Sequence, residues 1–441
     1  MPCPKRLSLC PAGPPACPTR DVLSVLYLSY DGMCDPLGGS QVLPYVEGLA
    51  ARGHRITLIS FEKLCHSEQT AEVEEQCRAA GIVWRPLTYH KRPPVLSTLY
   101  DLASLRRLIH QLHSSQGFEV VHCRSYLTAL VGLQFRRRYG TRLIFDMRGF
   151  WADERVEGGL WDLSNPLFRA VFRYFKRLES ELLRTSDAVV SLTERGKQVL
   201  LARRDRAQDA APITVIPCCV DFTFFPLCSN DSRLAARALL DIAPGVRVAA
   251  YLGSIGTWYM LDEMLDCFAV QLERDPLAVL LIVSRDDPAV IRAAAGARGI
   301  ASVSLVVRDA TRTEVPQLLA AANYGLFFIR PTPSKLASCP TKLGEFLAMG
   351  LPVLTNAGVG DVAEVVQQGG AGVIINHFDR TAYGAALDEL DALPQLGAQW
   401  REHSRKWFDL ETGVERYDAL YRARSTDLIR STSRQACDAS E

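Results

Sequence analysis

No Asp-x-Asp triplet occurs anywhere in this chain, and no spacing of His, Cys, Asp or Glu resembles a structural or catalytic ion site, so no metal is expected. The thirteen cysteines include no Cys-x-x-Cys pair, which argues against a zinc ribbon or a dithiol redox motif. They read as mostly reduced core thiols of a cytoplasmic protein. No apolar run approaches the length of a membrane span, and Lys5 and Arg6 lack an adequate apolar region behind them for a signal peptide. A net charge of +1 excludes bulk attraction to nucleic acid or membrane, so nucleic acid is not an expected partner and only local patches remain.

What is present is an ordinary globular composition, 48% hydrophobic and 22% charged, on 441 residues, enough for two domains with full cores. Residues 1–20 read as a disordered extension and 426–441 as a flexible tail. From Val22 onward, strand and helix signals alternate. Val22 to Leu28, Ile56 to Ser60, Val120 to His122, Arg142 to Asp146 and Ala188 to Leu192 are apolar runs separated by helical stretches. One-sided burial would give alternation, so such runs predict a parallel sheet covered on both faces. Six further strands follow, at Val248–Gly253, Ala278–Ser284, Val303–Val307, Tyr324–Ile329, Pro352–Thr355 and Gly372–Ile375. The predicted class is α/β, with a Rossmann-like domain over 21–212, a second over 213–395 and C-terminal helices over 396–425.

The most informative segment is Thr341 to Val353. Leu343, Phe346 and Leu347 form an apolar stripe at helical spacing, which leaves Thr341, Lys342 and Glu345 together on the opposite face of the first turns. Unpaired backbone N–H groups and the positive end of the dipole favour an anion there. Pro340 suits the entrance and Gly350 the exit. An exposed helix start with a Lys342/Glu345 ion pair is the plainer alternative.

The stretch from Pro340 to Val353 resembles the donor-binding helix of glycosyltransferase family 4, the GT-B sugar transferases, and the resemblance runs from about Val22 to Ile375. It implies two Rossmann-like domains facing a central cleft, a nucleotide-sugar held mainly by the second, and a glycan, lipid-linked or small-molecule acceptor held by the first. It implies transfer of a hexose-type sugar with retention of configuration, as in polysaccharide or glycoconjugate biosynthesis. By the same resemblance Glu345 holds the ribose hydroxyls, which suits a group that only accepts hydrogen bonds. Two departures stand out. The family's second glutamate, eight positions earlier, is Ala337 here, and the basic pair that neutralises the diphosphate is missing, since no Lys or Arg lies between Gly253 and Glu273.

Ligands of open α/β sheets bind outside the carboxyl ends of the strands, which points to substitutes. Arg330 ends a predicted strand, and Lys335 and Lys342 lie in and after the loop leading to Glu345; these three are the phosphate candidates. Gly39, in Gly38-Gly39-Ser40, and Gly253-Ser254 occupy corresponding glycine turns where backbone approaches a ligand closely. The first turn lacks the G-x-G-x-x-G fingerprint of dinucleotide enzymes. In the first domain Asp146-Met147-Arg148-Gly149 places an acid and a guanidinium at a strand end, with Glu154 as a possible partner of Arg148. His122 reads as a hydrogen-bonded core residue. The expected catalytic set is Arg148, Lys335 and Glu345, and the donor-binding set is Gly39, Gly253, Ser254, Arg330, Lys335, Thr341, Lys342 and Glu345. Phe168 to Leu178 interleaves basic and aromatic residues and reads as a core helix with a solvated basic face, peripheral membrane contact being the alternative. A GT-B epimerase and a non-catalytic nucleotide-sugar-binding subunit remain as other functions.

Overall fold

The computed structural model describes residues 22–63, 67–93, 95–203 and 211–423; the extension over 1–20 and the tail over 426–441 lie outside them. Two parallel sheets form the frame. The first contains β1 (Ser24–Ser29), β2 (Arg55–Glu62), β3 (Val83–Thr88), β4 (Val120–Arg124), β5 (Arg142–Asp146), β6 (Ala188–Ser191) and β7 (Ile213–Val215), in the order β3-β2-β1-β4-β5-β6-β7. The second contains β8 (Val248–Leu252), β9 (Val279–Val283), β10 (Leu305–Arg308), β11 (Tyr324–Leu326), β12 (Val353–Asn356) and β13 (Gly372–Ile375), in the order β10-β9-β8-β11-β12-β13. Both orders are doubly wound, so each sheet has a switch point beside its first strand, where ligands bind. β1, β4, β8 and β9 are buried along their whole length, as two-faced coverage requires.

Three strands differ from the sequence reading. β3 carries Pro86 and is mostly exposed, the habit of an edge strand, and its mixed pattern hides it from a search for apolar runs. Ile213–Val215, assigned above to the start of the second domain, pairs with β6 as the last strand of the first sheet. β11 also stops three residues early. Beyond it Phe328 O accepts from Met260 N and Arg330 N donates to Trp258 O, so the chain leaves the sheet to pair with the loop after β8.

The helices Gly397–Phe408 and Leu410–Arg422 divide between the domains. Trp400 and Phe408 belong to the core of the second, whereas Val414, Tyr417, Leu420 and Tyr421 pack with β1 and β2 of the first. Where the chain crosses back it meets the outgoing crossing: Val220 N donates to Phe408 O at 2.7 Å and Leu410 N to Val220 O at 3.2 Å.

The helix Thr341–Ala348 follows from its sequence in an unexpected way. Every residue from Lys342 to Ala348 is buried, so the polar face points into protein and not outward. Phe346 stacks on Phe327 with centroids 6.4 Å apart, and a Cβ on Gly325 would come within 2.6 Å of the Phe346 ring. Phe346 therefore fixes this helix on β11. Phe346→Ala should lower the stability of the second domain by about 3–5 kcal/mol, measured by urea unfolding; a loss below ~1 kcal/mol would mean that the helix is held chiefly by other contacts.

Candidate active site

The strands of the first sheet deliver their carboxyl ends to one cavity of about 1260 Å³. Asp31 follows β1, Lys63 follows β2, Arg124 ends β4, Arg148 and Trp151 follow β5, and Cys218 follows β7; all line it. The second domain closes the opposite wall with Trp258, Tyr259, Lys335, Ser338 and Thr341. A space of this size between two switch points accommodates a substrate larger than one sugar.

Its floor is built around Asp146, which is fully buried at the end of β5. Parallel pairing sets Arg124 of β4 opposite Asp146, and Arg124 Nη1 lies 4.0 Å from Oδ2. Arg148 Nη1 is 3.9 Å away, His122 Nε2 3.6 Å, and Tyr417 from the last helix donates its hydroxyl at 3.0 Å. Burial alone would raise the Asp146 pKa; Arg148, His122 and Arg124 outweigh it and hold the carboxyl below the ordinary carboxylate range. His122 is a core residue, as read: its Nδ1 pairs with the Tyr421 hydroxyl at 2.7 Å, and burial lowers its pKa.

Arg148 sits at φ 56, a left-handed conformation that turns its side chain back over the strand end toward Asp146, and Gly149 continues the turn at φ 107. Its expected partner Glu154 is engaged elsewhere. Glu154 Oε1 accepts from Lys335 Nζ at 2.9 Å, a bridge between the domains, and Lys335 also lies 3.9 Å from the Trp258 ring centroid. Ser334 bonds to Glu157 beside it.

The structure thus brings Arg148, Lys335 and Thr341 to the cavity wall and leaves the other candidates off it. Gly39 lies inside the helix Pro36–Gln41 and not in a turn before it; a Cβ on neighbouring Gly38 would sit 2.0 Å from Gly32 O, so Gly38 serves close packing, whereas a Cβ on Gly39 would meet Met33 O at an ordinary 3.5 Å. Gly253 is at φ 111, where a Cβ would meet Lys342 Nζ at 3.4 Å, and Ser254 and Arg330 are exposed outside the wall. Lys342 is only 4% exposed, enclosed by Tyr251 and Tyr259 with ring centroids 4.1 and 3.9 Å from Nζ, and it donates to Tyr251 Oη at 3.0 Å. Glu345 forms its ion pair with Arg312 and not with Lys342, and Arg312 in turn lies over the Phe225 ring. Arg124, Arg155 and Arg312 escaped the sequence reading. Arg124 ends β4 and was open to the same strand-end rule that found Arg148; Arg312 lies four residues beyond β10 and carried no such signal.

The arrangement of two doubly wound domains with facing strand ends agrees with what comparison finds. Residues 38–219 match the Glycosyl transferase 4-like domain and residues 246–391 the Glycosyl transferases group 1 model, and the chain belongs to this family of glycosyltransferases. D-inositol 3-phosphate glycosyltransferase of Nocardia farcinica is 26% identical over 84% of this chain and 82% of its own length. In fold the chain is GT-B. It is similar to sucrose-phosphate synthase from Thermosynechococcus elongatus, at TM-score 0.68 and 18% identity over 91% of this chain and 98% of that one. Anabaena HepE, solved in complex with UDP and glucose, superposes at TM-score 0.66 with 13% identity over 90% of this chain and 98% of its own.

Burial lowers the pKa of Lys342 well below its ordinary value, and the nearby Glu345 only partly opposes this. In the unfolded chain the amine titrates near ~10.4, so below that pH the unfolded state binds a proton that the folded state resists. Stability accordingly rises with pH until both states are neutral. Lys342→Met removes this slope: the variant should gain most over wild type near pH ~6, and the gain should shrink toward pH ~10 in urea unfolding. A difference that stays constant with pH would show that the surrounding rings keep the ammonium fully charged in the folded protein.

Proposed function

We propose that this cleft transfers a hexose from a nucleotide-sugar to a lipid-linked glycan acceptor, without a metal ion and with retention of anomeric configuration. The observation that carries the reading is the convergence of Arg148 from the first domain and Lys335 from the second on one cavity. A departing nucleoside diphosphate gains charge as the glycosidic bond breaks, and cations already fixed in place lower that barrier without reorganising. Thr341 lines the same cavity at the N-terminus of its helix, where backbone N–H groups add to the positive field. Glu345, off this wall and paired with Arg312, is the residue that the family resemblance assigns to the ribose hydroxyls. The sugar is then attacked on the face from which the diphosphate leaves, with a phosphate oxygen accepting the acceptor proton. The binding of UDP by HepE supports a uridine nucleotide as the first donor to try.

A lipid-linked acceptor is favoured by the mouth of the cavity in the first domain. In the helix Pro166–Thr185, Phe175 and Leu178 are buried as the core reading expects, but Leu167 and Tyr174 are exposed, and Phe168 and Val171 line the opening. Leu96, Leu99 and Tyr100 project from the helix Leu96–Gln116, and Leu160 adds to the rim. Lys91 and Arg155 stand in the same wall, with Arg173 and Arg177 exposed along the helix. Apolar side chains among cations suit a membrane-borne acceptor with an anionic phosphate. On this reading the protein works at the cytoplasmic face of a membrane. Among the described residues no helix is long and apolar enough to cross one.

The test is transfer from radiolabelled UDP-hexoses, and from other nucleotide-hexoses if these fail, to polyprenyl-diphosphate-linked and to water-soluble sugars, all in excess EDTA. Labelled glycolipid with retained configuration is expected. Dependence on added Mg²⁺ would contradict the metal-free mechanism, release of an epimerised sugar would favour the epimerase, and tight binding without turnover a binding subunit. Lys335→Met keeps the aliphatic stem and removes the charge. Its kcat/KM should fall roughly ten- to a thousandfold, about 1.4–4 kcal/mol, with kcat affected at least as much as KM. A near-wild-type rate would place the neutralising charge elsewhere, on Arg148 or Arg155.

A further inference from the structure

Two thiols line the cavity, and the transfer chemistry uses neither. Cys218 lies in the segment that leaves the first domain after β7, and Cys339 lies just before the helix Thr341–Ala348 of the second. They meet across the cleft. The Cys218 backbone N–H donates to Cys339 Sγ at 3.4 Å, and the two thiols share a hydrogen bond. Arg148 Nη2 donates to Cys218 Sγ at 3.3 Å.

The pair is chemically unlike the other thiols of the core. The hydrogen bond from Cys339 outweighs burial at Cys218 and, with Arg148 and Arg124 acting in the same sense, brings that thiol down to about 6. The same bond keeps the proton on Cys339, whose pKa is pushed well up. Burial drives Cys219, the next residue, up to about 12, and Cys77 and Cys267 likewise. At neutral pH one thiolate therefore faces one protonated thiol, in a cavity open to small solutes.

We propose that Cys218 and Cys339 form a reversible oxidative modification site, closed by a peroxide into a disulfide that spans the cleft. The Cys218 thiolate attacks one oxygen of the peroxide; the O–O bond breaks, the other oxygen leaves as water after taking a proton, and Cys218 becomes a sulfenic acid. Cys339 sulfur then attacks Cys218 sulfur and displaces hydroxide, which leaves as water with the proton that Cys339 gives up. Two thiols lose two electrons in all, and hydrogen peroxide is reduced to two waters. The product ties the inter-domain segment to the entrance of the donor-side helix and removes the thiolate beside Arg148. A dithiol reductant reverses it by exchange.

The test uses the full chain and hydrogen peroxide itself. After brief treatment, free thiols are blocked with iodoacetamide, the protein is digested without reduction, and the peptides are mapped by mass. Most Cys218 is expected in one cross-linked species with Cys339, lighter than the two peptides by two hydrogens and separated by dithiothreitol. In Cys339→Ser the resolving thiol is gone, so Cys218 should stop at the sulfenic acid and be captured by a dimedone-type probe. Recovery of Cys218 chiefly as the carbamidomethyl thiol after peroxide, or its linkage to Cys219 or another cysteine, overturns the assignment; so does a Cys339→Ser protein whose Cys218 takes up no probe.

Discussion

A carboxylate taken out of water stays ionised only when cations and hydrogen-bond donors surround it, and Asp146 receives them from three parts of the chain. Arg124 reaches it from the adjacent strand, Arg148 folds back from the turn after β5, and Tyr417 arrives on the last helix. The consequence runs both ways. The carboxylate fixes two guanidinium groups in the cavity wall, where free arginines would cost side-chain entropy to order. The C-terminal helix, by supplying Tyr417, links the return of the chain from the second domain to the state of the floor.

The second domain meets the same need with different parts. Where the family resemblance leads one to expect a basic pair after β8, the chain has Trp258 and Tyr259, and their ring centroids lie 3.9 Å from the Lys335 ammonium and the Lys342 Nζ respectively. At Lys335 the aromatic face partly replaces lost hydration without neutralising the charge, whereas burial pushes Lys342 toward the neutral amine. Lys335 keeps its access to the cavity through the bridge to Glu154, whereas Lys342 is sealed behind the wall. One missing sequence signal has thus been replaced by a loop of rings and two lysines in unequal positions.

Much of the fold was legible because two-faced burial writes itself as apolar runs. β1, β2, β4, β5, β6 and the strands of the second sheet announced themselves that way, while β3 did not, because an edge strand with Pro86 has only one neighbour and one covered face. Membership of the cavity wall was legible where a residue follows a strand end directly, as with Arg148. It was misread where tertiary packing decides. Helical spacing set Lys342 and Glu345 on one face, but spacing cannot say that the whole helix is enclosed, nor that Arg312 comes from a distant loop to claim Glu345. Glu154 was likewise seen as a partner for Arg148 when the fold gives it to Lys335.

The central claim is that cations from both domains are assembled for a diphosphate. Calorimetric titration of the full chain with UDP, UMP and uridine at low and at moderate salt isolates that charge from the base and ribose, which the three ligands share. The account predicts that UDP binds at least about tenfold more tightly than UMP, close to 1.4 kcal/mol, and that the advantage shrinks as salt rises. UMP and UDP of equal affinity, with neither sensitive to salt, would contradict it.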